Sequence, residues 1–158
     1  MIELDIKNEY IAKARVYVEE EGNKVKRLDA LKIDLDILRQ DLEGRRSRGL
    51  TGNSTSRNIK GIDDLILSRE YEVEVLENEI KALENDKKRF ENILNRLEAE
   101  PKVVIETRYV YNKRYNKIDT YEQIAEKLNM SEASVKRYDR WGLKEIAYMK
   151  YGMMAVKK

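Results

Sequence analysis

Apolar residues return at alternating intervals of three and four along two stretches of the chain. Between 62 and 97 they are Ile62, Ile66, Val73, Leu76, Ile80, Leu83, Phe90, Leu94 and Leu97, and only Arg69 and Lys87 interrupt the series. A 3-4 spacing held over this length is the pattern of a coiled-coil seam. Gly61 precedes it, and Asp63 and Asp64 stand in the first turn, where the helix dipole favours negative charge. Leu28, Leu31, Leu35, Leu38 and Leu42 repeat the spacing and predict a second rod over 24–43. Ile6, Tyr10, Ala14 and Tyr17 carry that apolar side back to a helix start near Asp5. The "EEGN" at 20–23 predicts a kink or break, because glycine costs ~1 kcal/mol inside a helix.

Between the rods lies "GRRSRGLTGNSTSRNIKG", residues 44–61. Its glycines, with Ser, Thr and Asn, predict a flexible non-helical loop, rich in arginine. Two rods joined this way fold back as an antiparallel hairpin, or pair their seams between two chains as a homodimer. The pattern leaves both open.

Past residue 100 the spacing changes. Pro101 suits the first turn of a new helix running to about Val110, with Val104, Ile105 and Tyr109 inward. The polar "NKRYNKID" ends it. Thr120 with Gln123 forms a capping box, and Tyr121–Leu128 buries Ile124, Ala125 and Leu128. Asn129 suits a left-handed helix end, Met130 plugs the corner, and Ser131 caps the next helix. On that last helix, at ~100° per residue, Val135, Tyr138, Gly142, Ile146 and Met149 share one side. Ala133, Lys136, Arg137, Arg140 and Lys144 share the other, with Asp139 and Glu145 between them. Tyr138 reads as core, and Trp141 as packing on a neighbouring helix. The predicted fold class is all-α: a helical hairpin or coiled coil over 1–100, a second domain over 101–152, and a tail over 153–158.

Charge sharpens the division. Residues 1–43 carry 8 basic and 11 acidic side chains, 44–61 carry 5 and none, 62–100 carry 6 and 12, and 101–158 carry 13 and 7. Acidic rods with a basic tip and a basic C-terminal third point to a polyanionic partner for the basic parts. Cys and His are both missing from the sequence. That excludes disulfides, thiolate chemistry, imidazole metal sites and histidine-based nucleophilic triads. With no phosphate-cradling loop and no convergent carboxylates, neither an enzyme nor a cofactor is expected. The start "MIELDIKNEY" lacks the apolar run of a signal peptide, and no window approaches ~18 apolar residues, so a cytoplasmic protein without membrane contact is expected.

The motif on Thr120, Ile124, Ala125, Leu128, Ser131, Val135, Tyr138, Gly142, Leu143 and Ile146 resembles a helix-turn-helix, and among these region 4 of bacterial sigma factors. Asn129 stands where that pattern favours Gly, and Gly142 where it favours Ala. "VIETRYV" is similar to the helix that precedes the reader in region 4, and "IAYMKYG" to the ends of phage-encoded late-gene activators of the ArpU and RinA kind. The resemblance covers about 100–152. It implies a sequence-specific regulator binding double-stranded DNA, phage or prophage encoded, acting in the bacterial host cytoplasm, with RNA polymerase as a further candidate partner. Lys136 and Arg137 would read guanine edges and Glu132 a cytosine amino group, beside Ala133. Arg140 and Lys144 would reach phosphates, Thr120 and Ser131 would donate to the backbone, and Lys113, Arg114 and Lys117 would add charge. A DNA-packaging subunit of the small-terminase type and a coiled-coil adaptor without DNA are the competing expectations.

Overall fold

In the computed structural model, residues 5–50, 56–112, 114 and 117–158 are described, side chains at 48–50, 56–60 and 62 excepted. These residues are all-helical, with no strand among them beyond a single bridge between Ile6 and Val156. The elements are α1 (Asn8–Leu50), α2 (Ser56–Leu94), α3 (Ala99–Ile105), a π-helical turn (Glu106–Val110), α4 (Tyr121–Leu128), α5 (Glu132–Tyr151) and a final 3-10 turn (Gly152–Ala155).

Several boundaries differ from expectation. The first helix begins at Asn8 rather than near Asp5, and Ile6 is instead buried beside the C-terminal segment. It runs through "EEGN" without a break. Gly22 has a packing role: a Cβ there would stand 2.2 Å from the Tyr109 carbonyl oxygen, so only glycine lets the two backbones approach this closely. The 44–61 stretch is not a non-helical loop over its whole length. Helix α1 continues to Leu50 and α2 starts at Ser56, leaving 51–55 outside the described residues. Once a seam is packed, each further residue adds a hydrogen bond without a new nucleus, and this outweighs the poor propensity of Gly44. At its other end α2 stops at Leu94, so Leu97 lies beyond it, still buried.

The packing divides elsewhere than at residue 100. One compact unit is Arg27–Asn85; the other joins the chain up to Lys26 with Asp86–Lys158. In the first, Leu28, Leu31, Leu35 and Ile80 are buried among Val73, Leu76 and Leu83, so the seam closes within the chain. The two helices run antiparallel there, as the ion pairs Lys32–Glu84, Arg39–Glu77 and Arg46–Glu70 show, and Arg27 pairs with Glu79. Exposed pairs of this sort contribute at most ~1 kcal/mol each. Their value is in register; stability comes from the leucines, at about 1.5–3 kcal/mol per buried side chain.

In the second unit, the base of α1 supplies Tyr10, Ile11, Ala14 and Val18 to a core with Phe90, Leu94, Ile105, Tyr109, Leu143 and Ile146. The segment after 152 is no loose tail. Lys7 donates its amide to the Ala155 carbonyl at 2.8 Å, Lys157 donates to that of Asp5 at 2.8 Å, and Ala155 is buried. No described helix is long and apolar enough to cross a membrane.

Candidate nucleic-acid interface

Local chemistry fixes the α4–α5 corner. The Thr120 hydroxyl accepts from the Gln123 amide at 3.2 Å, and Gln123 Oε1 accepts from the Thr120 amide at 2.9 Å. Two otherwise orphaned donors at the start of α4 are thereby satisfied. Asn129 ends α4 in the left-handed region, at φ 53° and ψ 49°. Met130 follows, half-buried against Val104, Ile124 and Val135. The Ser131 hydroxyl accepts from the Ser134 amide at 3.1 Å and opens α5.

Helix α5 has two unlike faces. Val135, Gly142, Leu143, Ile146 and Ala147 are buried. Glu132, Ala133, Lys136, Arg137 and Arg140 are exposed. Lys136 Nζ lies 3.7 Å from Glu132 Oε1 and 5.7 Å from the centre of the Tyr121 ring, and the Arg137 guanidinium lies 5.3 Å from that of Tyr138. Such loose surface contacts leave both cations able to take another partner. Arg140 donates to Asn8 Oδ1 at 3.3 Å. Lys144 departs from expectation: it is half-buried and already has a partner. Tyr138 and Met149 are half-buried rather than core. Trp141 stacks on Tyr138 of its own helix, with ring centres 6.0 Å apart, and donates Nε1 to Glu145 at 2.8 Å.

Before α4, Arg114 and Lys117 are exposed, while Lys113 lies outside the described residues. The carbonyls of Arg114 and Lys117 accept from Lys26 Nζ at 3.0 and 3.3 Å, which straps this loop to α1. Burial pulls the Lys26 ammonium below its ordinary value, with Asp119 acting in the opposite sense.

The expected α-helix up to Val110 changes character at Glu106. There a π-turn begins, closed by the Tyr111 amide donating to the Glu106 carbonyl at 2.7 Å. The wider turn brings Thr107, Arg108 and Tyr109 all inside. Arg108 meets Asp139 of α5, which is 1% exposed rather than lying between the faces. Arg108 Nη1 donates to Asp139 Oδ2 at 2.7 Å and to the Tyr109 and Tyr121 hydroxyls at 3.0 Å each. Tyr121 in turn donates to Asp139 Oδ2 at 2.9 Å, and Arg108 Nε to the Asp119 carbonyl at 3.3 Å. Burial alone would lower the Arg108 pKa, but the Asp139 carboxylate and the two phenols outweigh it and hold it above the ordinary value. Burial, then Asp139, pushes the Tyr109 and Tyr121 phenols up. The signal for Asp139 was present: it stands four residues after Val135 and four before Leu143, on the buried period of α5.

No family model matches the chain, and no curated protein or solved structure matches it either.

Proposed function

We propose that this protein is a sequence-specific regulator of transcription that binds double-stranded DNA, built as an antiparallel helical hairpin with a C-terminal helix-turn-helix. Helix α5 is the reader. The observation that carries this is the pairing of unlike faces on one helix: Val135, Leu143 and Ile146 inward, Lys136, Arg137 and Arg140 outward. The capped, left-handed corner at Asn129 joins α4 to α5, and Ile124 and Val135 share a core, which supports a helix-turn-helix. In this reading Lys136 and Arg137 meet base edges, with Glu132 and Ala133 beside them at the start of the helix. Arg140, Arg114 and Lys117 meet phosphates, and Thr120 and Ser131 bring helix N-termini to the backbone. The likeness to sigma region 4 and to phage late-gene activators supports a role at promoters, with polymerase as a second partner.

Selection of bound sequences from a random duplex library, at two salt concentrations, tests the reading. An enriched motif is expected, together with a log–log salt slope of about −3 for the phosphates met by Arg140, Arg114 and Lys117. Binding without enrichment would reduce the protein to a nonspecific DNA-coating factor. Lys136→Glu with Arg137→Glu should abolish binding; unchanged binding would remove α5 from the interface.

A further inference from the structure

Resting on that reading, we propose that the buried Arg108–Asp139 pair, clasped by the phenols of Tyr109 and Tyr121, is a positioning group that sets the rotation of α5 about its own axis and so decides which side chains α5 presents to base edges.

The apolar contacts of α5 cannot do this alone. Val135, Leu143 and Ile146 pack through non-directional forces, which fix the roll of the helix less sharply than a hydrogen bond does. A charged N–H···O bond from Arg108 Nη1 to Asp139 Oδ2, with Arg108 Nε held by the Asp119 carbonyl, is directional. Asp139 lies between Arg137 and Arg140 in sequence, so the grip falls within a turn of the proposed readers. With side chains reaching about 6 Å from the helix axis, a roll of roughly 20° carries a reader's tip by about 2 Å. That is enough to break a bidentate bond to a base.

Two further features favour geometry over stability as the reason for the pair. Asp139 Oδ1 is buried and accepts no hydrogen bond among the described residues, so the carboxylate is only half satisfied. A buried pair that leaves an acceptor orphaned is a poor stabiliser, and apolar side chains of similar size commonly replace such pairs without loss. Arg108 also reaches Asp139 from a π-turn, a helix form rarely adopted and concentrated at functional places.

The test compares wild type with two variants, Arg108→Met/Asp139→Leu, which refills the volume with apolar groups, and Arg108→Lys, which keeps the charge but not the fork. Each is assayed for its selected motif, for the ratio of affinity on that motif to affinity on random duplex, and for salt slope, with helicity monitored by circular dichroism. The double variant should stay folded and bind random duplex with an unchanged salt slope. Its specificity ratio should fall by about tenfold or more, the worth of one lost bidentate base contact. Arg108→Lys should lower the ratio in the same direction. A motif and ratio equal to wild type in the folded variants would overturn the proposal; should the double variant not fold, Arg108→Lys decides on the same ratio. Absence of any motif with wild type is a different result, visible in that control alone, and removes the reading beneath.

Discussion

Gly22→Ala should destabilise this protein, although alanine is the better helix former. Gly22 lies well inside α1, where exchange to alanine ordinarily gains about 0.5–1 kcal/mol. Here the new Cβ would lie 2.2 Å from the Tyr109 carbonyl oxygen and 3.1 Å from its carbon. Real carbon–oxygen contacts need roughly 1 Å more. The obstacle is backbone, so no rotamer change relieves it; α1 and the π-turn must separate. Overpacking of this kind costs about 1–3 kcal/mol. Subtracting the propensity gain leaves a net loss of up to about 2.5 kcal/mol, or up to roughly 10 °C in Tm for a chain of this size. Gly61→Ala is the matched control, because its Cβ would meet no described atom within 4 Å. It should raise Tm by a few degrees. Thermal unfolding followed by circular dichroism reads both. If Gly22→Ala raised Tm as Gly61→Ala does, the close approach of α1 to Tyr109 would be refuted.

Thr120→Ala removes the capping box at the start of α4 and should cost about 1 kcal/mol, seen as a Tm lower by roughly 2–4 °C; Thr120→Ser should restore most of it. Alkaline pH should unfold the chain through the buried Tyr109 and the half-buried Tyr17 and Tyr121: burial pushes Tyr17 up to about 12, and Tyr109 and Tyr121 also lie above their ordinary value. Because the folded values are raised, this contribution is complete below about pH 10 and is lost as pH climbs through the folded values, so phenolate absorbance from these residues should rise together with loss of helicity; ionisation near pH 10 with helicity intact would contradict it. Glu79→Gln breaks the exposed pair with Arg27 and should change stability by less than ~1 kcal/mol, which urea unfolding can check; a larger loss would mean that register pairs, not leucines, hold the two helices.

What the sequence settled by itself is what a single helix surface settles. The capping box of Thr120 and Gln123, the left-handed Asn129, the Ser131 cap and the inward Val135 and Ile146 depend on residues within one or two turns of each other, so spacing reveals them. The antiparallel seam was half legible: Leu28, Leu31 and Leu35 marked a buried stripe, but period alone cannot say whether its partner is α2 or a second chain. Only the tertiary structure decided the rest. Gly22 reads as a breaker until Tyr109, 87 residues away in sequence, is found against it. The burial of Asp139 is on the period of α5, but nothing marks Arg108 as its partner until a π-turn and α5 bring them to 2.7 Å. The C-terminal residues read as a tail until Ala155 and Lys157 pair with the start of the chain. In each case the deciding term is an approach between backbones or charges distant in sequence. Propensity and periodicity, which sum over neighbours, carry no trace of it.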